Sequence, residues 1–535
     1  MNMKKLHLFT LAIGLLSCVG AEAQNASGAQ PLPKPKPPVR QSAPNPGSSR
    51  NPNTPPAPGQ ANPKAVGLKP GAPAGKLLDS IALSKEPYFT DLQEAAKNPT
   101  KVYKLVLSGD NNIPNGLEKY SNLQYLEING PAPQRPMMPG QRADMPDDVP
   151  PPPMPMAPPA IPNGKGSEIG AGLLSLGNLT ELHLHNLGIK EIPFEISKLT
   201  NLKVLDLNGN PVNKFPESIS TIKGLKAFYV NDGMAQTLPA SMTSMTNLTI
   251  LETGINSIPE IKSLRELILN NRNPNLPAGI EKLVNLRKIV ILSSMMPNNG
   301  ISELTSKLPN IKEIAIPNAF IRYEDLMTLS KMPLLEKLEV SGLFSTKSMT
   351  RLTGFNTLKS LKIWNIYGQK EDDYREIYMG LVGLPSKPAL GIKYRKSCEE
   401  FLKGQRDLTL YVNDTKISME SMMSIQPRGL IFGSAFLTIP SELLNLGSLQ
   451  ELDLTKIGGR DFNQLSSSLQ KCRMLKKLSI PSDALRFIMP SLSEMKGLEE
   501  LVIKASSNVG AAPNDGREKG NLYKNLPRTK ITYID

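Results

Sequence analysis

The sequence predicts a solenoid of short stacked units, and three observations lead to that fold class. The first is a fixed period: Leu179, Leu182 and Leu184 return as Leu202, Leu205 and Leu207, with Asn178 returning as Asn201. A period in this range marks units that cannot bury their own apolar face and must stack on a neighbour. The second is persistence. The pattern LxxLxL starts at Val102, Leu123, Leu179, Leu202, Leu225, Leu248, Leu264, Leu286, Ile311, Leu335, Leu358, Leu449, Leu475 and Leu498, with weaker starts at Lys387, Asp407, Pro427 and Arg528. The third is a recurring apolar-proline step on the outer arc, at Ile192 and Pro193, Phe215 and Pro216, Leu238 and Pro239, Ile258 and Pro259, and Leu276 and Pro277.

The 23-residue LxxLxL unit with its IP or LP step resembles the leucine-rich repeat family. The resemblance implies an α/β leucine-rich repeat solenoid, or horseshoe, with a parallel β-sheet on the concave face and short helices or irregular arcs on the convex face. It also implies a partner bound along the concave surface. A length of 535 residues would ordinarily suggest several domains, but an array grows by addition, so one long domain is expected.

In chain order, residues 1–23 resemble a secretory signal, with Lys4 and Lys5 before an apolar run from Leu6 to Val19 and small residues at Ala21 and Ala23. The LLSC of Leu15 to Cys18 resembles a lipobox, so lipidation at Cys18 is the alternative to a free exported chain. Residues 24–76 read as an extended, proline-rich basic linker. Of the net charge of +14, +7 falls in this linker and +1 in residues 1–23, leaving +6 over residues 77–535. That distribution argues against a nucleic-acid partner. It leaves room for weak contact between the linker and acidic envelope polymers. No stretch reaches the ~20 continuous apolar residues that span a bilayer.

Residues 77–101 have helical spacing at Leu78, Ile81 and Ala82, then Leu92, Ala95 and Ala96, and are expected to cover the open end of the first strand. This segment resembles the N-terminal cap of exported bacterial leucine-rich repeat proteins. The array runs over residues 102–535. Residues 131–165, with 13 Pro and 5 Met, read as a disordered or polyproline insertion that leaves the register intact. Its DDVPPPPMP resembles the proline ligands of actin-regulatory adaptor domains, with Val149 where those carry an aromatic, and Met154 and Met156 offer a soft pair for copper. The interval from Leu248 to Leu264 is too short for a full outer arc and places Thr253 inward, so a change of curvature is expected there. Residues 365–426 are degenerate repeats, with helical DDYREIYMGL between weak strands, and Ile531 and Tyr533 read as a closing strand. Cys398 and Cys472 stand three repeats apart, on the order of 14 Å at ~4.8 Å per strand, so two unpaired buried thiols are expected.

Side chains alternate along a strand, so the residue between the two inward leucines faces away from the core. Read along the stack, that column is Val106, Glu127, His183, Asp206, Tyr229, Glu252, Ile268, Val290, Ala315, Glu339 and Lys362. Its first part is polar. His183 and His185 share a strand face beside Asp206, which suits a metal, a pH-sensitive contact or simply an exposed polar pair. Its later part carries Ile268, Val290 and, just beyond, Leu292, where aliphatics mark an interaction surface or partial cover by a loop. Trp364, the only tryptophan, reads as an interface anchor or as packing against the irregular segment from Ile366 onward.

GxSxG, HExxH, paired CxxC and a phosphate loop are all missing, and GKGS at Gly164 lacks the upstream glycine. Some bacterial leucine-rich repeat proteins are ubiquitin ligases whose cysteine lies in a helical domain beyond the repeats, whereas Cys398 and Cys472 lie within the array. The expectation is an exported, non-catalytic recognition protein without cofactor, secreted or at the cell surface. Its contacts are Glu127, His183, His185, Asp206, Tyr229, Ile268, Val290, Leu292 and Trp364, and its partner is a protein or another macromolecule. The alternatives are a metal-binding module centred on His183 and His185, or a structural spacer of the envelope.

Overall fold

A computed structural model describes residues 75, 77–109, 112–131, 166–230, 237–270, 275–293, 299–344, 352, 354–368, 370–405, 407–438, 446–459, 462–504, 522, 525–526 and 528–534. The signal-like segment with Cys18, the basic linker up to residue 74 and the insertion beyond Pro131 lie outside the described residues. Among the described residues, 19 strands form one parallel sheet. It is open, with Tyr88–Phe89 at one edge and Lys530–Ile534 at the other.

Each of the LxxLxL starts leads into a strand of this sheet. Leu105, Leu126, Leu182, Leu205, Phe228 and Leu251 stand opposite one another on successive strands, and the file continues through Leu267, Ile289, Ile314, Leu338 and Leu361. All of them are buried. Stacking is what buries them, since each contributes about 1.5–3 kcal/mol only once a neighbouring unit covers it.

The register departs from the motif spacing once. LxxLxL would set Leu390 opposite Leu410, but Leu390 pairs with Leu408 and Ile392 with Leu410. A slip of two residues preserves which face each side chain meets, whereas a slip of one would turn every leucine to solvent. Leu408, Leu410 and Val412 are all buried, so the strand Leu408–Val412 offers three inward residues and accepts either register.

The first units are held by polar side chains as well as by leucine. Where an asparagine precedes the motif it reaches back to the preceding unit: Asn201 Nδ2 donates to Gly177 O at 2.8 Å, Asn247 Nδ2 to Lys223 O at 2.8 Å, and Asn285 Nδ2 to Lys262 O at 2.9 Å. Asn210 is fully buried. Its Oδ1 accepts from the backbone N–H of Leu187 and Ile189, and its Nδ2 donates to the carbonyls of Leu184 and Leu207.

Arcs in these units are short 3₁₀ helices at Phe194–Lys198, Glu217–Thr221 and Ala240–Ser244, entered through Pro193, Pro216 and Pro239. Proline fixes φ and gives up an N–H that a helix start would leave unpaired anyway. From Gly300 onward several described arcs carry α-helices, including Gly300–Lys307, Tyr323–Leu329, Glu371–Val382 and Leu485–Leu492. Aspartates three residues into two of them accept from the entering backbone, Arg322 N on Asp325 Oδ2 at 3.0 Å and Lys370 N on Asp373 Oδ2 at 2.9 Å. The short unit between Ile250–Thr253 and Glu266–Leu269 has no helix, and Thr253 is fully buried.

At the N-terminal end, Ala95 is buried and Leu92 packs against the core as expected of a cap. Ile81 does not: it is 70% exposed, because Asp79 starts a helix of only six residues, Ser80–Lys85. The edge is closed instead by the strand Tyr88–Phe89, which pairs with Lys104 and Leu105. Gln124, itself buried, clamps Leu78 by accepting from its N–H at 2.8 Å and donating to its carbonyl at 3.0 Å. Cys398 and Cys472 are buried thiols that form no disulfide. Burial raises both thiols, to about 11 for Cys472, which suits inert apolar filling. Among the described residues, no helix is long and apolar enough to cross a membrane.

Candidate functional site

The parallel register assembles the outer face as the alternation predicts. Val106, Glu127, His183, Asp206, Tyr229, Glu252, Ile268, Val290, Ala315, Glu339 and Lys362 stand opposite one another in unbroken sequence. The column two residues earlier runs beside it. It brings in Lys104, Tyr125, Glu181, Glu266 and Lys288, of which Lys288 and Glu266 pair at 2.6 Å.

At the polar end the side chains form one connected array. Lys104 Nζ lies 4.4 Å from the Tyr88 ring centre, and Tyr88 meets Tyr125 edge-on at 5.5 Å. Tyr125 tilts against His183 at 5.2 Å, and its hydroxyl donates to Glu127 Oε2 at 2.7 Å. Asn129 Nδ2 donates to Glu127 Oε1 at 2.7 Å, and Asn129 Oδ1 faces His185 Nδ1 at 2.9 Å. Asp206 Oδ2 lies 3.5 Å from His183 Nδ1 and 3.1 Å from His185 Nε2, while Glu181 Oε2 lies 3.6 Å from His183 Nε2. Asp206 Oδ1 accepts from the Asn208 N–H at 3.1 Å, and Asn208 Nδ2 donates to Glu252 Oε2 at 3.2 Å.

Burial here works against charge, and the neighbours decide the outcome. For His183, burial is outweighed by the hydrogen bonds to Asp206 and Glu181 and by the charges of Asp206 and Glu127, which push it up to about 9. Burial likewise opposes the charge of Asp206, but the His183 and His185 imidazoles hold its carboxyl well below the usual range. Burial and then the Asp206 charge push Tyr229 up to about 12. Burial pulls Lys104 down to about 8, against the charges of Glu86 and Glu181. Of the sequence-derived residues, the structure therefore brings Glu127, His183, His185 and Asp206 into one cluster, with Tyr229 beside Asp206 on the next strand.

The aliphatic residues lie farther along. Ile268, Val290 and Leu292 are half-buried on the outer face, with Ile268 opposite buried Glu252 on one side and Val290 opposite Ala315 on the other. Trp364 is apart from both groups and is only 7% exposed. Its Nε1 donates to Glu339 Oε1 at 2.9 Å, and its ring lies across Gly391, where an added Cβ would meet it at 2.8 Å. This is packing against the degenerate segment rather than a free anchor.

Several residues went unnoticed in the sequence. Lys104, Tyr125 and Glu181 sit just before the inward leucine, so the alternation that turns the middle column to the outer face turns them there too. Asn129 is the same case, one step past Ile128. Phe320, Phe344 and Tyr367, whose ring centres lie 5.2–5.8 Å apart, gave no such signal. They meet only because three strands extend beyond the motif, at Glu313–Arg322, Lys337–Phe344 and Ser360–Tyr367, and because Gly342 leaves room for the Phe320 ring.

The comparisons with known proteins bear on the fold. A family model described as "Leucine-rich repeat region" matches residues 167–267. No curated protein matches the chain. Among solved structures, the Leptospira interrogans LRR protein LIC12759 is similar at 19% identity and a TM-score of 0.39, covering 83% of this chain and 99% of that one. An internalin (InlF) of Listeria monocytogenes is similar at 13% identity and a TM-score of 0.29, covering 71% and 88%. Neither likeness speaks to the histidine cluster, whose case rests on its geometry alone. Residues 167–267 match that family model, and the same leucine file runs through the strands on either side, so the described sheet has the architecture of a leucine-rich repeat solenoid.

Proposed function

We propose that this chain is an exported, non-catalytic recognition protein that docks a protein partner along the outer face of its sheet, at the cell surface or in the envelope. The observation that carries the reading is the unbroken register of the outer column, which fixes eleven side chains at strand spacing before any partner arrives. Preset side chains lose little ordering entropy on binding, which favours recognition by surface complementarity. Half-buried Ile268, Val290 and Leu292 supply apolar area, and the charged and phenolic cluster from Glu127 to Tyr229 supplies direction. Leucine-rich repeat regions commonly bind proteins, in keeping with this. The signal-like residues 1–23, or lipidation at Cys18, support export.

The test is a pull-down from envelope fractions with the wild-type chain and with the double variant Ile268→Asp, Val290→Asp. Both residues face away from the core, so the expected result is lost capture at an unchanged thermal midpoint. Equal capture by the two proteins overturns the assignment of this face.

A further inference from the structure

We propose that His183, His185 and Asp206 form a binding site for a divalent transition-metal ion of the zinc class. The site goes beyond the docking reading and does not depend on it.

Two histidines separated by one residue on a strand point the same way. The parallel register sets Asp206 opposite the first of them. One ring nitrogen of each histidine and one Asp206 oxygen lie within 4.8 Å of one another. Tetrahedral zinc, at about 2.0–2.1 Å to nitrogen, draws such atoms to roughly 3.4 Å apart, a contraction within reach of side-chain rotation. Imidazole nitrogen with carboxylate oxygen is a donor set that zinc accepts; Glu181, 3.6 Å from the far nitrogen Nε2 of His183, would orient that ring, and water would fill the fourth position.

The surrounding hydrogen bonds orient the cluster as ligands are oriented. A carboxylate only accepts, so Glu127 fixes Asn129 with its Nδ2 toward Glu127 and its Oδ1 toward His185. His185 Nδ1 then donates to Asn129 Oδ1, which makes Nε2 the nitrogen turned to Asp206 and available to a metal ion. That nitrogen lies 3.1 Å from Asp206 Oδ2, a separation that a proton or a metal ion can bridge. Nε2 of each ring is buried beside one oxygen, Glu181 Oε2 at 3.6 Å from His183 and Asp206 Oδ2 at 3.1 Å from His185. The Asn208 N–H occupies Asp206 Oδ1, so that Oδ2 is the oxygen turned to both rings. Hydrogen bonding of this kind behind a histidine sets its tautomer and raises its affinity for metal. The histidine side chains remain 17% and 26% exposed, enough for an ion to enter from the open face.

The test uses the full chain, stripped with chelator, reloaded with Zn²⁺ and desalted, with bound metal measured by elemental analysis and affinity by calorimetry. The expected result is one Zn²⁺ per chain with micromolar or tighter affinity. Asp206→Asn, which keeps the shape, and His185→Ala should each weaken binding at least 100-fold, and Asn129→Ala about 10-fold through loss of orientation. Co²⁺ in place of Zn²⁺ should show a visible tetrahedral band that His183→Ala abolishes. Circular dichroism on each variant confirms the fold, and Asp206→Asn keeps the test decisive should an alanine variant unfold. No retained zinc in the wild type, or equal retention in Asp206→Asn, overturns the site.

Discussion

The units before Gly300 and those after it bury the same leucine file but hold their outer arcs by different means. The earlier units enter 3₁₀ arcs through Pro193, Pro216 and Pro239 and are laced by Asn201, Asn247, Asn285 and the buried Asn210. The later units use α-helices, some started by Asp325 or Asp373, and lean on hydroxyls such as Thr357, whose Oγ1 donates to Leu335 O at 2.9 Å. Their outer faces differ as well. The earlier face is a wired set of charges, while the later one gathers Phe320, Phe344 and Tyr367 at the ends of lengthened strands. A solenoid asks only that each unit cover its neighbour's apolar edge, so the arc and the face are free to diverge.

The sharpest way to break the contrast is Asn210→Ala. It strands two buried N–H groups and two carbonyls, each worth about 1–3 kcal/mol when unpaired, so a loss of about 4 kcal/mol is expected in chemical denaturation. A loss under about 1 kcal/mol would mean the earlier units do not depend on their asparagines.

Next in size is a pH effect confined to the earlier face. In chelator-treated protein His183 stands at about 9 when folded, against an ordinary 6.5. A folded value raised above the unfolded one means stability is fully present below about pH 6.5 and lost as pH rises through 9. About 2 kcal/mol should go between pH 7 and 10, measured by hydrogen exchange in the strands Glu181–His185 and Val204–Asp206. His183→Gln should flatten that slope; an unchanged slope would assign it to another group.

Gly342→Val probes the later face. An added Cβ would lie 2.3 Å from the Phe320 ring and 3.0 Å from the Asn365 carbonyl, so a cost of about 1–2 kcal/mol and a weakened near-UV signal are expected. An unaltered spectrum would show that the aromatic group is loosely held. The smallest effects come from the ladder common to both regions. Asn247→Ala and Thr357→Val should each lose about 1 kcal/mol, and a clear inequality would show that arc type governs how much the ladder contributes.

Much of this was legible in the sequence because period and alternation are local rules. The spacing of Leu182, Leu205, Ile289 and Leu338 determined one leucine file, and with it the order of the outer column from Val106 to Lys362. Thr253 turned inward and the two buried thiols outside any disulfide followed from the same count. Tertiary structure alone decided what that count cannot express. Leu408 fitted the core as well as Leu410 did, so only packing chose the register there. The Trp364 ring folded onto Gly391 because a glycine on the next strand left the space, and Ile81 stayed exposed because the Tyr88–Phe89 strand took the edge. The orientation of His185 depended on Asn129 and Glu127, 56 or more residues away in sequence but one strand away in space. A repeat fixes which residues become neighbours; the rotamers, tautomers and shared protons among those neighbours arise only once they are packed side by side.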